Sequence, residues 1–217
     1  MTITEQIIKR LEKLEISTEE ISDILGKTGA IKGMCPINSG IYLVGEIQYV
    51  CAYNNSNWPV HEQIRELHEG KICFVDTCFV DDYAIFGELV SNFIIKNKKA
   101  KGIIVNGLIR DINGIKKNAF PVWSKGITPV GCFNVQVNLN PEIRRHIETN
   151  RLFYEGSIAV CDDSGVVIIP KNKINEDFIN KIDFMRKQED IWFDCIVNKQ
   201  WTTYDTVCIK KYLENSK

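Results

Sequence analysis

The segment Gly102 to Gly131, GIIVNGLIRDINGIKKNAFPVWSKGITPVG, constrains the fold more than any other part of the chain. Its run Ile103-Ile104-Val105 reads as a buried strand, and Asn106-Gly107 as a tight corner. An adjacent cation and anion, Arg110-Asp111, come next, followed by a short amphipathic helix and a second strand. A strand that ends in a glycine-containing loop displaying charged groups is how α/β enzymes present reactive side chains at the carboxyl edge of a sheet. Arginine offers a planar fork for a carboxylate or enolate, and aspartate offers hard oxygen for Mg2+.

Composition narrows the class. The length of 217 residues suits one large domain or one domain with terminal additions, and 44% hydrophobic with 25% charged residues is ordinary for a globular chain with a sizeable core. A net charge of −1 and the lack of a basic run argue against a nucleic-acid partner. The opening MTITEQIIKRLEKLEI is a charged amphipathic helix instead of an apolar leader, and no window is apolar enough to span a membrane. These features predict a soluble, cytoplasmic protein. The 8 cysteines form no C-x-x-C pair and no Cys/His cluster at zinc spacing. Most stand in apolar runs such as KICFVDTCFV, where cysteine acts as a small hydrophobe, so buried reduced thiols are expected.

Along the chain, Thr2 to about Leu14 carries Ile3, Ile7, Ile8, Leu11 and Leu14 at helical spacing. A second helix starts at the capping box Ser17-x-x-Glu20 and ends near Gly26. Residues 28–40 read as loop, 42–53 as strand, and Pro59 opens a helix to about Glu69. A strand over Ile72–Val75, a helix over Gly87–Lys98 and the strand at Gly102–Val105 follow. Asp111 to Lys117 reads as a short helix and Pro121 to Trp123 as a strand. Gly156 to Pro170 reads as a hairpin about an Asp162-Asp163-Ser164-Gly165 turn, which explains that acidic run without an ion. Helix resumes from Lys171 and closes over Asp205–Glu214. No repeat, linker or composition break divides the chain, so one α/β domain spanning 1–217, with helical ends, is expected.

The block Gly87 to Gly131 resembles the family of the regulator of ribonuclease activity A and the 4-hydroxy-4-methyl-2-oxoglutarate aldolases. That family carries G-[ED]-L opening a helix, then G-x-x-x-x-G-x-x-R-D, then P-V and G-x-T-P-x-G. Here these stand as Gly87-Glu88-Leu89, Gly102 to Gly107 with Arg110-Asp111, Pro121-Val122 and Gly126-Ile127-Thr128-Pro129-Val130-Gly131. Weaker similarity runs from about residue 17 to 170. The tail 171–217, with Gln188-Glu189 and the Asp205–Leu213 segment, is similar to the aldolase branch, although Val207 and Lys210 replace its Tyr and Arg. The regulators lack such a tail, and they often lack an acidic residue where this chain keeps Asp111. The segment Asn138 to Glu155 departs from the family's strand pair, and a short helix is expected there.

The resemblance implies a swivelling β/β/α-type domain with N- and C-terminal helical additions, assembled as a homotrimer or homohexamer. It also implies Mg2+- or Mn2+-dependent lyase chemistry releasing pyruvate. The shared hard step of aldol cleavage and oxaloacetate decarboxylation is formation of the pyruvate enolate, which requires positive charge at the 2-oxo oxygen and a socket for the carboxylate. Asp111 is the expected metal ligand, and Arg110 the partner of the enolate oxygen. The first-turn amides after Gly87, at Leu89 and Val90, suit the substrate carboxylate. Glu88 would orient a water that shuttles the proton, and Glu189 would approach the metal from a neighbouring subunit. Each has a plainer reading: Asp111 as an N-cap, Glu88 as a helix-dipole partner, Glu189 as a solvated carboxylate. His61 is expected to be structural. A non-catalytic regulator that binds a ribonuclease surface, or a lyase recruited to biosynthesis, are the competing functions.

Overall fold

The computed structural model describes residues 1–216. Two helices open the chain, α1 (Ile3–Leu14) and α2 (Thr18–Ile24), each started by a reciprocal capping box, Thr2 with Glu5 and Ser17 with Glu20. The predicted 28–40 loop contains a two-residue strand, β1 (Cys35–Pro36). Then come β2 (Leu43–Tyr53), α3 (Trp58–Gln63), β3 (Ile72–Cys78) and α4 (Glu88–Asn92), the last continued by a π-helical turn over Phe93–Asn97. Strand β4 (Gly102–Ile109), α5 (Ile112–Lys117), β5 (Val122–Ile127) and α6 (Pro141–Tyr154) follow. The expected hairpin is β6 (Ile158–Asp162) with β7 (Gly165–Ile169), and α7 (Glu176–Phe193) begins the tail. Beyond it the expected single helix over 205–214 is a π-helical turn, Tyr204–Cys208, and a 3-10 stretch, Lys211–Ser216. No helix among the described residues is long and apolar enough to cross a membrane.

The seven strands lie in the order β1-β5-β4-β3-β2-β6-β7. The centre, β2 to β5, is parallel, while β1, β6 and β7 run antiparallel to their neighbours. The fold is mixed α/β, as expected, and the sheet curls into a nearly closed barrel. One edge meets the other through residues 29–36. Ile31 N donates to Val166 O at 3.0 Å and Ile168 N to Gly29 O at 2.9 Å, while Cys35 and Pro36 pair with Ser124 and Trp123. Trp123 Nε1 adds a 2.8 Å bond to Asp162 O across the closure.

The period-2 alternation of the strands sorts their side chains into an inner and two outer cores. Leu43, Ile47, Tyr49 and Cys51 of β2, Phe74 of β3, Ile104 of β4, Trp123 of β5 and Ile168 of β7 point inward, where α6 covers them with Ile143 and Tyr154. Their outward neighbours, such as Val50, Val75, Val105 and Val122, meet α3, α4 and α5. On the other outer side, Val44, Ile158, Val160 and Val167 meet α1, α2 and α7. Burying each such side chain contributes about 1.5–3 kcal/mol.

Two local expectations need correction. Asn106-Gly107 is not a corner: β4 runs through it to Ile109, with a shift in its pairing to β5 between Val105 and Leu108. Glycine stands at 107 because a Cβ there would lie 2.8 Å from Thr77 Cγ2. The 138–155 segment holds not a short helix but 14 residues of α6, started by Asn140 as N-cap and Pro141 in the first turn.

Candidate active site

The strand ends bring two sequence blocks together. Residues 84–86 lie beside the end of β4, with Ile85 N donating to Leu108 O at 2.9 Å and Arg110 N to Phe86 O at 3.1 Å. On its other side the same segment is held by Ala84 N to Val130 O at 2.7 Å and Cys132 N to Ala84 O at 2.8 Å. This backbone ladder sets Gly87-Glu88 against Arg110-Asp111 and lays the Gly126–Gly131 turn over both. Glu88, Arg110, Asp111, Asn113, Gly114 and Thr128 line one open cleft of about 560 Å³.

Three glycines are close-approach positions in this cleft. A Cβ at Gly87 would collide with the Asp111 carboxylate, one at Gly114 with the Glu88 carboxylate, and one at Gly131 with the Arg110 guanidinium. Each reactive group therefore lies flat against bare backbone. The side chains of Arg110 and Asp111 are 47% and 51% exposed, and Nε stands 3.7 Å from Oδ2. Asp111 occupies the N-cap position of α5, yet its side chain makes no capping bond and its backbone is left-handed at φ 57°. The capping explanation thus loses its mechanism, and a non-glycine residue is held in a costly conformation at a charged cleft. Glu88 accepts a 3.2 Å bond from Asn118 Nδ2, whose Oδ1 accepts from Lys96 Nζ at 3.0 Å. Gly87 is buried, whereas Leu89, in the first turn of α4, is 83% exposed. The side chain of Val90 turns into the outer core.

Burial pushes the neighbouring Cys132 thiol up to about 11, with the Arg110 guanidinium opposing the shift. Cys132 therefore stays neutral and leaves the guanidinium charge available. Asn118 and Gly114 were absent from the expected site, and Gly131 was named only as the end of the G-x-T-P-x-G motif, without a role. The isolated glycine inside the INGIKK helix was the available signal for close approach.

Glu189 lies elsewhere within the chain, in an acidic groove formed by α2 and α7 and lined by Glu19, Glu20, Asp23, Asp190 and Asp194. Burial, then the charges of Glu20 and Asp23, raise its pKa above the ordinary carboxylate value. The Asp162–Gly165 turn is structural. Asp162 accepts from Thr18 N and Oγ1, both at 2.8 Å, and Asp163 from Gly40 N at 2.8 Å. The eight cysteines are all free, five of them buried. Among the described residues, one group of metal-ligating side chains has its donor atoms close enough to share an ion: Cys51, Asp76 and His146, beneath α6.

The family model for RraA-like proteins, described as Aldolase/RraA, matches residues 18–168. The chain belongs to this family. It is 28% identical over 183 residues to a putative 4-hydroxy-4-methyl-2-oxoglutarate aldolase from Halalkalibacterium halodurans, covering 81% of each chain. It is also 25% identical over 190 residues to protein DlpA of Legionella pneumophila, with 82% of this chain matched to 30% of that protein's length. An uncharacterized protein from Pseudomonas syringae pv. tomato shares the fold with a TM-score of 0.73 at 19% identity, covering 97% of this chain and 96% of that one. The RraA-like family includes both aldolases and ribonuclease regulators.

Proposed function

We propose that the chain is a divalent-metal-dependent lyase of 2-oxo acids. It releases pyruvate by aldol cleavage of a 4-hydroxy-2-oxo acid, of the 4-hydroxy-4-methyl-2-oxoglutarate type, or by decarboxylation of oxaloacetate. The observation that carries this reading is the convergence of Arg110, Asp111 and Glu88 on one open cleft, each against a glycine that leaves it room.

The residues suit a hard cation. The Asp111 carboxylate is half exposed and spent on no capping bond, and Glu88 offers a second carboxylate on the same cleft. Mg2+ or Mn2+ held through Asp111 would supply Lewis-acid polarisation of the 2-oxo group. The rest falls to the chain's own groups. The Arg110 fork neutralises charge developing on the enolate oxygen. The amides at Leu89 and Val90, beside Gly87, receive the substrate carboxylate. Glu88, steadied by Asn118, moves a proton through water between solvent and the carbanion carbon. Among the described residues no lysine lines the cleft, which fits a mechanism without a Schiff base.

Ile127 in the lining of the cleft is exposed, as are Leu89 and Val130, chain neighbours of the lining residues Glu88 and Pro129, which suits a site closed by a neighbouring copy in a homotrimer or homohexamer. Glu189, in its acidic groove, would then serve a neighbour's site and not its own.

A lactate dehydrogenase-coupled assay with oxaloacetate and 4-hydroxy-4-methyl-2-oxoglutarate, with and without Mg2+, tests the reading. Pyruvate release abolished by EDTA is expected. Silence on both substrates, together with capture of a ribonuclease, would replace the lyase by a regulator.

A further inference from the structure

We propose that Cys51, Asp76 and His146 form a second site, for one divalent cation of the zinc class, inside the barrel and separate from the Arg110–Asp111 cleft. Cys51 and Asp76 are direct partners in the parallel β2–β3 ladder, so both point inward side by side. His146 descends on them from α6, and the three donor atoms lie within 4.8 Å of one another. A tetrahedral zinc centre with bonds of 2.0–2.3 Å sets adjacent donors about 3.5 Å apart, so an ion would hold the group by opening the 2.8 Å Nε2–Oδ2 pair by roughly 0.7 Å, within the 4.8 Å that the three donors span. Sulfur, nitrogen and one carboxylate oxygen favour zinc over magnesium, which takes oxygen alone.

Three features of the cluster call for positive charge. Asp76 is 1% exposed, and its only ion-pair partner among the described residues is His146, at 2.8 Å. Its other donors are neutral: Tyr49 Oη at 2.9 Å, Asn106 Nδ2 at 2.8 Å and Asn150 Nδ2 at 2.8 Å. A buried carboxylate held only by neutral donors remains an uncompensated charge unless the imidazole is protonated.

The second feature is a hydrogen-bonding mismatch at His146 Nε2, which stands 2.8 Å from Asp76 Oδ2 and 3.0 Å from Asn150 Nδ2. With a proton on Nε2, the ring faces the amide donor-to-donor; without one, its lone pair faces the carboxylate. A cation between Nε2 and Oδ2 removes the conflict, since the lone pair then binds metal. Third, Asn106 Oδ1 is buried with no hydrogen-bond partner among the described residues, on the side chain whose amide nitrogen holds Asp76.

The surroundings resemble a supporting shell, with Tyr49, Asn106 and Asn150 fixing the carboxylate that binds the ion. The His146 side chain is 31% exposed, which leaves a way in and a water for the fourth position. Burial, then Asp76, pushes the Cys51 thiol up to about 12, so binding would release its proton to solvent.

The test is Co2+ titration of the metal-free full chain. One equivalent should give rise to a thiolate-to-cobalt charge-transfer band and the intense visible bands of tetrahedral Co2+, both lost when Zn2+ is added, whereas Co2+ taken up at the oxygen-lined cleft would give neither. Cys51→Ser should lose the charge-transfer band, and His146→Gln should weaken binding at least about tenfold. Arg110→Ala and Asp111→Ala should leave the thiolate charge-transfer band unchanged whatever cation the cleft takes up, so failure of the lyase reading would not remove this site. Circular dichroism checks the fold of each variant, and one folded variant suffices. Absence of the bands at stoichiometric Co2+ would overturn the proposal, as would a charge-transfer band retained in folded Cys51→Ser or an undiminished Co2+ affinity in folded His146→Gln. In that case the exposed thiols Cys35 and Cys208 would be the ligands, or the cluster only a hydrogen-bonded seat for α6.

Discussion

Gly131→Ala separates guanidinium placement from folding. The added methyl carbon would stand 2.9 Å from Arg110 Cζ and nearer still to Nη1, where ordinary contacts begin at 3.4 Å. The fork must therefore swing by about half an ångström at Cζ and about 1 Å at its tip, a displacement that costs an enzyme on the order of 100-fold in rate. That loss corresponds to about 2.7 kcal/mol of transition-state stabilisation. Stability should hardly change. Position 131 has no positive φ, so alanine fits the backbone. The colliding atoms belong to the flexible end of a half-exposed side chain, and loss of unfolded-state entropy contributes about 0.4–1 kcal/mol in favour of alanine. The coupled pyruvate assay should show kcat/KM down about 100-fold with kcat carrying most of the loss, since the interaction matters chiefly as the enolate forms. Thermal unfolding should stay within about 3 °C of the parent. Undiminished kcat/KM in a folded variant would refute the placement of Arg110 at the reacting oxygen.

Other perturbations probe neighbouring parts. Gly114→Ala should raise the intrinsic stability of α5 by up to about 1 kcal/mol yet expel the Glu88 carboxylate from its place beside Asn118. Solvent isotope exchange into pyruvate should slow at least about tenfold, and an unchanged exchange rate would remove Glu88 from proton transfer. Asp76→Ala strands Tyr49, Asn106 and Asn150 beneath α6 and should cost about 3–4 kcal/mol in urea unfolding; a loss under about 1 kcal/mol would mean that the cluster does not seat the helix. Glu189→Gln should raise the melting temperature slightly at pH 7. Its folded-state pKa is raised, so the folded form binds its proton more tightly than the unfolded form, and its charge destabilises the fold at higher pH. The gain should fade as pH falls through the folded pKa toward the ordinary carboxylate range, and a gain constant from pH 7 to 4 would contradict that sign.

Local chemistry made much of the chain legible from sequence. The Ser17-x-x-Glu20 box starts a helix where it should, because capping satisfies amides within four residues of one another. The Asp162–Gly165 hairpin and the buried strand at Ile103–Val105 likewise follow from neighbours in sequence. Arg110-Asp111 and Gly87-Glu88-Leu89 could be read as two halves of one site from their motifs, and the ladder between residues 84–86 and β4 brings them together.

What sequence could not decide depends on contacts closed over long loops. Cys35-Pro36 is too short to read as a strand and becomes one only because β5 offers it an edge, through which the barrel closes. Asn106-Gly107 has the composition of a turn, but the extended neighbours of β4 keep it in the strand. Residues 138–155 announced a departure from the family without revealing its consequence, that α6 covers the barrel interior and sets His146 over Asp76. Cysteine spacing showed no metal cluster because spacing reports only ligands near in sequence. Cys51, Asp76 and His146 meet through strand register and helix docking, which the tertiary structure alone determines. The sequence by itself determined most of the elements and the charged pair at the end of β4; the curvature of the sheet decided what else each inward-facing side chain would meet.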